Sequence, residues 1–81
     1  MTKELIELFA EALEVEPSSL TADTQIADVA EWNSLAWLTI MSMVDENYNV
    51  QLSATEIRSF KAVGEIINNI MGKVSPTNLA H

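Results

Sequence analysis

The sequence predicts an all-α fold: an antiparallel helical bundle with three main helices, one short helix and a long loop between the first and second helices. Three observations predict it. Apolar residues recur at helical spacing in separate stretches of the chain. No stretch shows the apolar–polar alternation of a half-buried strand. Turn-forming residues and capping signals fall between the stretches, where helices would begin and end. With 81 residues and no internal repeat or low-complexity tract, the chain is expected to form one domain over 1–72, followed by a flexible tail over 73–81.

The first helix is expected over residues 2–14. Leu5, Ile6, Phe9, Ala12 and Leu13 form its apolar stripe, and Glu4, Glu7, Glu11 and Glu14 take most of the other face. Thr2 is the candidate N-cap, and Pro17 rules out continuation much beyond Glu16. Residues 15–33 then form a connection rich in turn-formers: Pro17, Ser18, Ser19, Thr21, Asp23 and Thr24. So long a loop is usually functional or packed by its own side chains. Leu20, Ile26 and Val29 are its expected anchors onto the core.

The second helix is expected over 34–48, with Trp37, Ile40, Met41, Val44 and Tyr48 on its buried stripe. Leu35 and Leu38 fall on the opposite side, near Ser34. Lone exposed leucines are ordinary; two beside a candidate serine also suit a contact surface. Ser53-Ala54-Thr55-Glu56 matches a capping box and should open a short helix over about 54–58. A last helix over 61–71 turns Val63, Ile66, Ile67 and Ile70 inward, with Gly72 as its C′ residue before Lys73 and Pro76.

Composition narrows the function. The net charge is −8, from 12 acids against 4 bases. Nucleic acid is therefore not an expected partner, because phosphate backbones require Lys and Arg. A basic protein surface fits better; solubility alone would also account for the acidity. No apolar run approaches the roughly 20 residues of a membrane span. Met1-Thr2-Lys3-Glu4-Leu5 lacks the apolar core of a signal peptide, so a cytoplasmic monomer away from membranes is expected. With no cysteine there is no disulfide or thiolate metal site, and any thiol chemistry needs a cofactor's sulfur.

An autonomous active site is not expected. His81 is the only histidine and lies in the tail, so no Ser-His-Asp arrangement fits inside the bundle. No His/Cys/carboxylate cluster suits a metal, and no glycine-rich loop cradles a nucleotide. Asp45-Glu46 reads as a solvated helix face. The protein presents or binds something instead of catalysing a reaction.

The most informative stretch is Glu31-Trp32-Asn33-Ser34-Leu35-Ala36-Trp37-Leu38. Ser34 stands where a polar loop meets an amphipathic helix. Its hydroxyl could cap that helix by accepting a backbone N–H. It could equally carry a phosphate-linked group, since a helix N-terminus stabilises negative charge.

The order Asn33-Ser34-Leu35, then Val44-Asp45-Glu46-Asn47-Tyr48, then Val50 and Leu52, resembles the acyl carrier proteins over about residues 3–71. In that family an Asp-Ser-Leu motif opens the second helix. The resemblance implies that Ser34 carries 4′-phosphopantetheine, delivered from coenzyme A by a phosphopantetheinyl transferase. Acyl groups would ride the arm's thiol as thioesters between loading and processing enzymes with basic and apolar docking surfaces. Asn33 replaces the family's aspartate, removing a charge beside the serine. Ala36 and Thr39 stand where carriers of fatty acid synthesis bear acids. The expected docking surface is therefore Leu35, Leu38, Asp45, Glu46 and Glu56. Trp32 before Asn33 resembles discrete carriers of specialised pathways, which is the favoured assignment. An aminoacyl or peptidyl carrier, and an unmodified interaction module on the same fold, are the alternatives.

Overall fold

The computed structural model describes residues 2–74. Its helices are α1 (Thr2–Leu13), α2 (Ser34–Tyr48), α3 (Ala54–Ser59) and α4 (Val63–Lys73), with 3-10 turns at Pro17–Ser19 and Ile26–Asp28 in the long connection. Among the described residues no helix is long and apolar enough to cross a membrane.

Leu5, Leu8, Phe9, Ala10 and Leu13 are buried on α1, whereas Ile6 and Ala12 are half-buried. The inward face is thus turned slightly from the expected stripe. Thr2 is the first helical residue instead of the cap. The helix stops before Pro17 is reached. Glu14 adopts a left-handed conformation (φ 60°), and Val15 N–H bonds Ala10 O at 3.0 Å while Glu14 N–H bonds Glu11 O at 3.2 Å. This pairing is a Schellman ending, made here with glutamate where glycine is the usual choice.

The two long helices run antiparallel. The Leu13 end of α1 shares a groove with Asn33, Leu35, Ala36 and Thr39, and its Glu4 end shares one with Met43, Asn47 and Tyr48. On α2 the fully sequestered positions are Ala36, Ile40 and Val44, spaced four apart. Trp37, Met41 and Tyr48 flank this row and are only half-buried. The buried stripe is centred on Ala36 instead of Trp37, because a small side chain faces α1 while the indole packs sideways. Asn49 ends the helix in the left-handed region (φ 56°), a conformation asparagine tolerates, and its N–H bonds Asp45 O at 2.9 Å. Val50 and Leu52 then bury into the core.

The predicted capping box opens α3. Ser53 Oγ accepts Glu56 N–H at 3.1 Å, and Ser53 N–H donates to Glu56 Oε1 at 2.9 Å. The next helix starts later than residue 61, and the long connection is the reason. Ile26 N–H bonds Lys61 O at 2.8 Å, Val63 N–H bonds Thr24 O at 3.0 Å, and Gly64 N–H bonds Ala22 O at 2.8 Å. Backbone carbonyls of the loop thus satisfy the first amides of α4, whose cap residue Ala62 has no side-chain acceptor to offer. Leu20 is buried, with Ile26 and Val29 half-buried against the core, so the three expected anchors do hold the loop down.

Gly72 does not end α4. The helix continues through Lys73, no glycine has positive φ among the described residues, and Val74 packs against the core. Residues 75–81 of the expected tail lie outside the described residues. A Cβ at Gly72 would meet nothing within 4 Å. Gly72→Ala should therefore stabilise the protein by about 0.5–1 kcal/mol, through reduced freedom of the unfolded chain. Urea unfolding of the two forms checks this; a destabilised variant would mean that the position is strained.

Candidate functional site

The loop approaches α2 through Trp32, which is buried and whose N–H bonds Val29 O at 3.0 Å. Its ring packs between Phe9 (centroids 5.9 Å apart) and Trp37 (5.3 Å). The indole Nε1 has no acceptor among the described residues. An orphaned buried donor costs about 1–3 kcal/mol, which the apolar and ring contacts offset. Trp32 therefore anchors the chain immediately ahead of Asn33 and Ser34.

Asn33, not Ser34, is the N-cap of α2. Its Oδ1 accepts Ala36 N–H at 2.9 Å, and its carbonyl accepts Trp37 N–H at 3.0 Å. The cap reading of Ser34 is thereby corrected: the serine occupies the first helical position. Asparagine wins the cap because its side-chain oxygen reaches the amide three residues on. Ser34 is exposed, and its hydroxyl has no hydrogen-bond partner among the described residues. The N–H groups of Ser34 and Leu35 also lack acceptors there. A free hydroxyl thus stands beside two free amides at the positive end of a 15-residue helix.

The surface around the serine mixes apolar and acidic groups. Leu35 and Leu38 are 71% and 62% exposed, as their place off the core stripe predicts. Asp45 and Glu46 lie exposed farther along α2. Glu56 is committed within the fold: Lys73 Nζ donates to both its oxygens at 2.8 and 2.7 Å, and Asn69 Nδ2 donates to Oε2 at 3.1 Å. The Lys73 contact, aided by the Ser53 backbone and Asn69, lowers its pKa to about 2. Its charge is matched inside the molecule.

Two further acids share a groove with the residues that flank the serine. Glu14 and Glu31 line the same groove as Asn33 and Leu35. They belong to segments far apart in sequence, so local pattern carries no signal of their meeting. Trp37 and Phe60 are likewise distant in the chain, and their rings stack at 6.3 Å.

Residues 3–70 match the family described as the phosphopantetheine attachment site. The chain belongs to that family of carrier proteins, whose prosthetic group is 4′-phosphopantetheine. The fold is similar to the solution NMR structure of a holo acyl carrier protein from Geobacter metallireducens. That likeness has a TM-score of 0.79 at 21% identity and covers 99% of this chain and 93% of the other. Comparison with curated proteins gives no match.

Proposed function

We propose that Ser34 carries the 4′-phosphopantetheine arm, and that the protein presents acyl intermediates on it to the enzymes of a dedicated biosynthetic pathway. The observation that carries this reading is the exposed, unbonded Ser34 hydroxyl at the first position of α2, with the cap role taken by Asn33. The residues present suit the group. The free N–H groups of Ser34 and Leu35 and the helix dipole favour a phosphate there by roughly 0.3–1 kcal/mol. When bound, the group supplies a terminal thiol that forms thioesters. The chain's own part is to hold the attachment point rigid, through Trp32 and Asn33, and to be recognised. Incubation with coenzyme A and a broad-specificity phosphopantetheinyl transferase should add one phosphopantetheine mass to the intact protein. An unchanged mass would overturn the proposal in favour of an unmodified interaction module.

Docking would use Leu35 and Leu38 with Asp45 and Glu46. Glu56 contributes less than its charge suggests, because Lys73 already pairs with it. Leu38→Ala should slow acyl transfer to or from the cognate enzyme. An exposed truncation costs within about 0.5 kcal/mol, so the melting temperature should hardly move. A large fall in melting temperature with unaltered transfer would refute the surface role.

Trp32 before the motif supports the specialised-pathway reading, and Asn33 gives a test of the attachment. Its Oδ1 is spent on Ala36 N–H, so Nδ2 is the group left for a visiting enzyme. Asn33→Asp keeps the cap and presents a charged oxygen in place of that amide. A transferase built for Asp-Ser-Leu should then gain a charge-assisted contact worth about 1–2 kcal/mol, or roughly 5–30-fold in loading rate. Loading rates of the two forms with one transferase decide this; equal rates would confine Asn33 to capping.

A further inference from the structure

Four aromatic rings form a continuous series from α1 to the end of α3. Phe9 of α1 meets Trp32 of the loop, Trp32 meets Trp37 of α2, and Trp37 stacks on Phe60 with 27° between the ring planes. Phe60 is the residue that ends α3. Trp37 lies one helical turn beyond Ser34, about 60° around α2 from it, on the side that meets Phe60. A group attached at Ser34 and directed along that face toward the seam between α2 and α3 therefore meets Trp37 and Phe60 first. Behind them stand Trp32 and the fully buried Phe9. Rings packed this way leave no space for methylene groups unless they separate.

The groove toward α1, lined by the serine's neighbours Asn33 and Leu35, is a poor refuge for an apolar chain. Glu14, Glu31 and Asn33 line it alongside Leu13 and Leu35. Covering those carboxylates with hydrocarbon would strip their hydration without supplying a partner.

We infer that the Trp37–Phe60 stack, backed by Trp32 and Phe9, closes the bundle below Ser34, so that an acyl chain on the arm stays outside the core and the carrier sets no limit on its length. This rests on the attachment proposed at Ser34. Admitting a chain would part the ring contacts and force the packed side chains around them from their places. The cargo consequently reaches a partner enzyme without the bundle opening, and chain-length selection falls to that enzyme.

The test compares acetyl- and octanoyl-phosphopantetheine forms of the wild type, Trp37→Ala and Phe60→Ala, with loading verified by intact mass and Ser34→Ala as the control. For the wild type, the two forms should melt at the same temperature. Amide shifts that differ between them should be confined to the surroundings of Ser34, Trp37, Leu38 and Phe60. In the ring-deleted variants the octanoyl form should melt higher than the acetyl form, because the chain now fills the vacated space. A wild-type octanoyl form that melts higher, with shifts at Ile40, Val44 and Ile66, would overturn the inference while leaving the attachment intact. No chain-dependent stabilisation in either ring-deleted variant would overturn the assignment of the stack as the barrier. Wild type that does not load, or loading that persists in Ser34→Ala, would overturn the attachment itself and this inference with it.

Discussion

Ser34→Ala is expected to abolish loading outright while leaving the bundle folded. The side chain is exposed, its hydroxyl is unbonded among the described residues, and the α2 cap belongs to Asn33. Removing the oxygen therefore breaks no contact within the fold. Alanine is also the best intrinsic helix former. Stability should stay within about 0.5 kcal/mol of wild type. Attachment has no such tolerance, because it requires an oxygen nucleophile at that position and alanine has none. Intact mass after incubation with transferase and coenzyme A, alongside circular dichroism, separates the two consequences. A folded variant that still gains the mass would move the attachment to another residue.

Gly64→Val should give the largest loss of stability. A Cβ at Gly64 would lie 3.0 Å from Ala22 O and 3.2 Å from Ala22 Cβ. Ala22 O cannot simply retreat, since it accepts the Gly64 N–H at 2.8 Å and so satisfies the start of α4. Valine's further methyl groups must also be housed, and its stiff rotamer leaves little room to avoid the loop. Overpacking at about 1–3 kcal/mol and a strained or lost hydrogen bond at about 1–3 kcal/mol together suggest a loss of about 2–6 kcal/mol. The better helix propensity of valine returns only a few tenths of a kcal/mol. Against a total stability of about 5–15 kcal/mol for a typical domain, such a loss is readily measured by urea unfolding. Gly64→Ala should fall between the two, since a single methyl faces the same carbonyl but gains about 1 kcal/mol in helix propensity. A Gly64→Val protein as stable as wild type would show that the loop detaches from α4 at little cost.

Glycine shows well where a sequence is legible and where it is not. Gly72 looked like a helix terminator because it precedes Lys73 and Pro76, yet α4 runs through it. Gly64 carried no local signal, yet it is the glycine whose missing side chain matters, because a loop some forty residues away in sequence rests on it. Glu56 shows the same divide. Its capping role was visible in Ser53-Ala54-Thr55-Glu56, three residues apart. Its pairing with Lys73 and Asn69 is not, and that pairing compensates its charge at the surface.

The sequence by itself determined the all-α class, the four helices to within about two residues, the α3 capping box, the exposed leucines and the serine at the loop–helix junction. These rest on periodicity and on hydrogen bonds that close within one helical turn, so the residues involved are neighbours in the chain. Only the tertiary structure decided that Asn33 takes the cap and frees Ser34, because serine and asparagine compete for that role on nearly equal terms. It likewise brought the loop carbonyls to α4, Glu14 and Glu31 to one groove, and Phe9, Trp32, Trp37 and Phe60 into one series of touching rings. The last three depend on how helices pack, and packing energy is gained between residues whose separation along the chain leaves no periodic trace.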